Sequence, residues 1–137
     1  MELIRSDQVD DLIAAVPAGQ GLSVNWLAGP ANVDALDVGL VTLDQGAAAR
    51  PHSHDGGQLI VVVSGNGWVE TAGDRVWIGP GDVVITPPDE LHTHGAADDG
   101  PMAHLTVTTG GFKRPSQDSP EIRAAGLRSV RREEHQN

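Results

Sequence analysis

The 137-residue sequence predicts an all-β sandwich or barrel, with a short N-terminal helix before it and a polar C-terminal helix or tail behind it. Three observations carry this. Short β-type runs follow one another from Leu22 to Thr109, turn residues separate them at even spacing, and helical periodicity is confined to the two ends. The length suits one domain able to bury a core without cross-links.

The elements follow in order. Ser6 to Val16 sets Val9, Leu12, Ile13 and Val16 at helical spacing, with Ser6 or Asp7 as the cap and Pro17-Ala18-Gly19-Gln20-Gly21 as the stop. The β-type runs are Leu22–Ala28, Leu36–Leu43, Gln58–Ser64, Gly67–Thr71, Arg75–Ile78, Val83–Thr86 and Met102–Thr108. Gly65-Asn66-Gly67, Gly79-Pro80-Gly81 and Pro87-Pro88-Asp89 separate them, and Gly73-Asp74 reads as a hairpin tip. In Leu59-Ile60-Val61-Val62-Val63 both faces are apolar. Gln58, Ile60 and Val62 are expected to point inward, and the other face needs a cover, from a second sheet or from a second subunit in a homodimer. Beyond Phe112 the composition turns polar. Residues 1–112 are read as the folded domain and residues 113–137 as a tail, with Ser119-Pro120-Glu121 as a possible helix start.

Charge narrows the function. Nine Lys and Arg stand against nineteen Asp and Glu, a formal −10. Residues 1–112 hold three Arg against fifteen acids, and the remainder six bases against four acids. Such a body repels nucleic acid and anionic lipid, so neither is an expected partner. With no Cys there is no disulfide, thiolate ligand or Cys nucleophile. No apolar run reads as a signal peptide or a membrane span, which points to a soluble, cytoplasmic protein. The core must be built from Val, Leu, Ile and Ala, with Trp26, Trp68 and Trp77 as the bulky members.

The chemistry lies in the histidines. Successive residues of a strand face opposite ways, so His52 and His54 share a face. Gln58 has the same parity and joins them if Asp55-Gly56-Gly57 turns the chain back onto that wall. Imidazole is a common ligand of divalent transition metals. His92 follows a Pro-rich turn and offers a further ligand. Gln58 has two readings, a metal ligand or an amide that orients an imidazole. His94 shares the parity of His92 and reads as a hydrogen-bond donor or a second base. His104 lies on one face with Thr106 and Thr108 and is the general-base candidate if that face points inward.

Spacing sharpens this. The first stretch runs Gly46, five residues, His52, one residue, His54, three residues, Gln58, six residues, Gly65. The second runs Gly81, five residues, Pro87, Pro88, Asp89, two residues, His92, three residues, Ala96. The two stretches resemble the paired motifs of the cupins, with Gln58 where Glu is usual, Asp89 where Gly is usual and Ala96 where Asn is usual. The resemblance implies a cupin β-barrel, a double-stranded β-helix or jelly roll. Gly65-Asn66-Gly67-Trp68, the run from Leu91 to Ala97, and Met102-Ala103-His104-Leu105 are further similar to small bacterial cupins that include manganese-dependent hydroxynitrile lyases. That resemblance implies one divalent ion on His52, His54, Gln58 and His92, manganese first and iron, zinc, nickel, cobalt or copper otherwise. It also implies proton transfer at His104.

A Gln ligand leaves the ion a formal +2, which favours an oxyanion and Lewis-acid work over redox cycling. The expected pocket is apolar, walled by Val41, Leu43, Ile60, Val62, Ile85, Leu91 and Trp77 or Trp68, with Arg50 the one candidate cation. It suits a small neutral or aromatic substrate. Three functions are expected in order: a hydroxynitrile lyase-like enzyme, a dioxygenase on a diketone or aromatic substrate, and a non-catalytic metal or ligand-binding module.

Overall fold

The structure is a computed structural model in which residues 1–116 and 120 are described. The expected C-terminal helix or tail, residues 113–137, lies outside the described residues except for 113–116 and 120. One helix, α1 (Ser6–Ala14), precedes ten strands: β1 (Leu22–Ala28), β2 (Asp37–Leu43), β3 (Ser53–His54), β4 (Gln58–Ser64), β5 (Gly67–Thr71), β6 (Asp74–Ile78), β7 (Val83–Thr86), β8 (Thr93–Ala96), β9 (Met102–Thr108) and β10 (Phe112–Lys113). The seven longer runs expected from the sequence are all strands. The two-residue β3 and β10 carry no alternation long enough to read, and β8 is buried at all four positions and shows none.

The strands form two walls. One sheet has the order β1-β2-β9-β4-β7 and another β6-β5-β8. Isolated bridges Ala48↔Gly95 and His52↔His92 run the segment before β4 along β8. The pair β10-β3 continues that wall. Among the described residues no helix is long and apolar enough to cross a membrane.

Period-two patterning sorts each strand. In β4, Gln58, Ile60 and Val62 are buried while Leu59, Val61 and Val63 are half-buried. In β9, Met102, His104, Thr106 and Thr108 are buried. The inward faces are graded along their length. At one end Leu22, Leu43, Val62, Ile78 and Met102 pack into the apolar core. At the other end of the same strands stand Gln58, Thr106 and Thr108, which cannot close a core and leave a cavity.

Local details refine the reading. The helix begins one residue earlier in capping terms than expected, because the Arg5 backbone N–H donates to Gln8 Oε1 at 2.8 Å. The β5–β6 hairpin tip is Ala72-Gly73 instead of Gly73-Asp74. Both tip residues have positive φ, as a type I′ turn requires, and Asp74 pairs with Thr71 inside the ladder. Trp68 is buried under the Arg75 guanidinium, 3.7 Å from its ring centroid, and Arg75 also binds the buried Glu70 at 3.1 Å. Ile85 and Trp77, expected as pocket walls, are 73% and 63% exposed.

Candidate metal centre

Four side chains converge from three chain segments. His52 and His92 are tied by a two-way backbone bridge, each N–H donating to the other's carbonyl at 2.9 Å. That pairing fixes their rings 4.5 Å apart. His54, two residues on, lies on the same face, with its ring 5.1 Å from His52 and 5.6 Å from His92. The Asp55-Gly56-Gly57 corner then reverses the chain. Gly57 donates to His54 O at 3.1 Å with φ near 84, a conformation that suits Gly, and delivers Gln58 to the cluster. One ring nitrogen from each of His52, His54 and His92 lies within 4.8 Å of the other two.

Hydrogen bonds orient the rings. Nδ1 of His52 faces Arg50 O at 2.6 Å, and Nδ1 of His92 faces Glu90 O at 2.9 Å. As Nδ1–H donors both rings turn Nε2 toward the cluster as lone-pair nitrogens. His54 Nε2 is buried with no hydrogen-bond partner. Gln58 Oε1 lies 2.7 Å from His92 Nε2, while its Nε2 donates to Thr106 Oγ1 at 2.6 Å. The carbonyl is thus aimed inward and the amide is held from behind.

Burial holds the imidazoles neutral, the state that metal binding needs. His54 is pushed down to about 4, first by burial and then by His92. His52 lies well below its ordinary value, through burial and then His92 and His54. Burial also lowers His92. A cluster of neutral nitrogens, one of them partnerless, with an inward carbonyl fits a divalent cation.

His94 and His104 form a second pair. Their rings meet edge to face at 5.0 Å, and His94 also lies 5.4 Å from His52. His104 is 0% exposed and neither of its ring nitrogens has a partner. Burial brings it to about 4, and burial with the neighbouring His104 holds His94 well below its ordinary value. His94 lines the cavity, whereas His104 stands behind it in the wall.

The cavity holds about 310 Å³ and opens from His52, His54 and Gln58 past Val24, Trp26, Val41 and Phe112 to Pro30, Asn32 and Arg114. Of the expected walls only Val41 is present. Leu43 and Val62 belong to the core. Ile60 is buried outside the cavity lining, as is Trp68 in the other sheet. Sequence reasoning missed Trp26 although it shares strand parity with Val24. Nothing local marked Arg114 as a cavity residue. The loop that carries Pro30 and Asn32 is anchored by buried Asp37, which accepts the N–H groups of Ala31 and Asn32 at 2.6 and 3.0 Å.

Comparison with known proteins agrees with this geometry. Residues 39–108 match the family model described as the cupin domain. An (R)-mandelonitrile lyase from Granulicella tundricola is 36% identical over 105 residues, which cover 69% of this chain and 79% of that protein. A cupin-like protein from Thermotoga maritima is similar in structure, with a TM-score of 0.64 at 28% identity, covering 81% of this chain and 92% of that one. A double-stranded β-helix protein from Klebsiella pneumoniae shares the fold with a TM-score of 0.67 at 20% identity, covering 82% and 96%.

Proposed function

The chain belongs to the cupin domain family, and from that membership we propose that it is a metal-dependent lyase of the hydroxynitrile type, cleaving a small cyanohydrin to an aldehyde and hydrogen cyanide. The observation that carries the reading is the convergence of His52, His54, His92 and the uncharged Gln58 on one point of a small cavity. These four side chains would hold one divalent ion, manganese by resemblance. Bound there at a formal +2, it would supply Lewis-acid stabilisation of an oxyanion.

The protein's own groups account for the remainder. Val24, Trp26, Val41 and Phe112 surround the substrate's organic part and exclude water from it. His94, neutral and on the cavity wall, accepts the hydroxyl proton. As the carbon–carbon bond breaks, its electron pair leaves with cyanide, which takes that proton back from His94. His104 packs edge-on against His94 and holds its ring in place. The substrate class is a small neutral or aromatic cyanohydrin.

The test is release of aldehyde from a panel of cyanohydrins, mandelonitrile included, at mildly acidic pH by manganese-loaded protein. The expected result is turnover that disappears in His52→Ala. No cleavage across the panel by protein shown to contain one ion per chain overturns the reading. Oxygen uptake by iron-loaded protein on a diketone panel would move the assignment to a dioxygenase.

A further inference from the structure

The cavity differs in charge from the rest of the molecule. The chain carries −10, yet among the described residues no Asp or Glu lines the cavity, and the one permanently charged lining residue among them is Arg114. Arg114 stands at the exposed mouth, with Phe112, Pro30 and Asn32 also on that rim. Its neighbour Lys113 is engaged by Asp55 at 3.4 Å and Asp89 at 3.8 Å, whereas among the described residues no ion pair engages Arg114.

We infer that the cavity takes a small organic monocarboxylate, with the carboxylate on the Arg114 guanidinium and an aryl or alkyl body between Trp26 and Phe112. The chemistry of the wall selects this class. A guanidinium presents a planar fork that matches a carboxylate in bidentate fashion. A phosphate or a dicarboxylate asks for more donors than Arg114 and Asn32 supply at the mouth. At about 310 Å³ the cavity is at the small end for ligand sites, so the body is about the size of one substituted ring. In a strongly acidic protein, a cation among lining residues that include no described acid also raises the local concentration of anions.

The inference deepens the proposed lyase reading and rests on it for one point, that the reacting carbon faces the histidines. The substrate then becomes a cyanohydrin, or its aldehyde, that carries a carboxylate at the far end. Arg114 would act as a specificity residue, since it touches the substrate away from the reacting bond.

The test compares binding of 4-carboxybenzaldehyde with that of benzaldehyde, by calorimetry and by quenching of Trp26 fluorescence, in metal-free and manganese-loaded protein. The wild type should favour the carboxylate probe by about tenfold, as a charge-assisted pair near water allows. The ratio should fall to near one in Arg114→Gln and lie between in Arg114→Lys. Thermal melting of both variants confirms that this exposed position leaves the fold intact. A wild-type ratio near one overturns the inference. So does a preference that survives in Arg114→Gln, because the carboxylate would then sit at the histidines. This ratio is read from binding alone, so failure to cleave any cyanohydrin of the panel, carboxylate-bearing ones included, sinks the lyase reading without touching it.

Discussion

Gln58 Oε1 lies 2.7 Å from His92 Nε2. His92 already has Nδ1 against the Glu90 carbonyl at 2.9 Å, and burial holds the ring neutral, so only one of its nitrogens carries a proton. With that proton on Nδ1, two lone pairs face each other across the gap. Two ligand atoms at right angles on one ion, each about 2.1 Å from it, are about 3 Å apart. The pair therefore has the spacing of neighbouring ligands, and a cation removes the repulsion between them.

This relationship predicts the behaviour of Gln58 variants. Gln58→Glu should keep the metal, since a carboxylate is a stronger ligand, but should lower cyanohydrin turnover about tenfold or more by cancelling one unit of its charge. Thr106→Val should leave the buried Gln58 amide without its acceptor. The expected cost is about 1–3 kcal/mol of stability and about tenfold in metal affinity. Elemental content, steady-state turnover and chemical denaturation read these three quantities.

Acid should unfold the metal-free protein in a defined window. The imidazoles of His54 and His104 stand at about 4 in the folded state against 6.5 in the unfolded chain. Above 6.5 both states hold these groups neutral and stability is level. As pH falls from 6.5 to 4 the unfolded chain takes up protons that the folded one refuses, and stability drops. For His104 alone the loss is on the order of 3 kcal/mol, and His52, His92 and His94 shift in the same direction. Bound metal should move the transition to lower pH. Denaturation midpoints unchanged between pH 7 and 4.5 would contradict this.

Asp89 occupies a position where related motifs carry Gly, and its φ is near 65. Asp tolerates the left-handed region better than most residues, and its N–H donates to His54 O at 2.9 Å. Asp89→Gly should therefore be close to neutral in stability. Asp89→Val should cost about 1–2 kcal/mol and weaken metal binding, because this turn links the two histidine segments. Equal melting temperatures for the two variants would remove the backbone argument.

The outer face of β4, β7 and β9 is the proposed contact between two copies of the chain. Val83 and Ile85 are exposed, and Leu59, Val61, Leu105 and Val107 are half-buried beside them. Sedimentation at micromolar concentration should give a dimer, and Ile85→Lys a monomer that still binds metal. A monomeric wild type would dismiss the proposal.

Much of the site was legible because strand parity and motif spacing are local properties. His52, His54 and Gln58 fall on one face by counting alone, once Gly57 supplies the reversal. The inward placement of His104 follows from the same parity shared with Thr106 and Thr108, although its position behind His94 does not. The cavity walls were misread for a related reason. Alternation tells which residues share a face but not which wall the face meets. Ile85 thus lies outside the barrel, and Trp26 came into the cavity unannounced.

The sequence by itself determined the all-β architecture and which residues share a strand face, since periodicity and turn residues act over a few residues, and the resemblance to the cupins singled out His52, His54, Gln58 and His92. Only the tertiary structure decided what those side chains look out upon. The bridge between His52 and His92, the Thr106 hold on Gln58 and the arrival of Arg114 at the mouth join positions between 40 and 62 residues apart in the chain. Such pairings are set by how the two walls close on one another, and no local pattern encodes that closure.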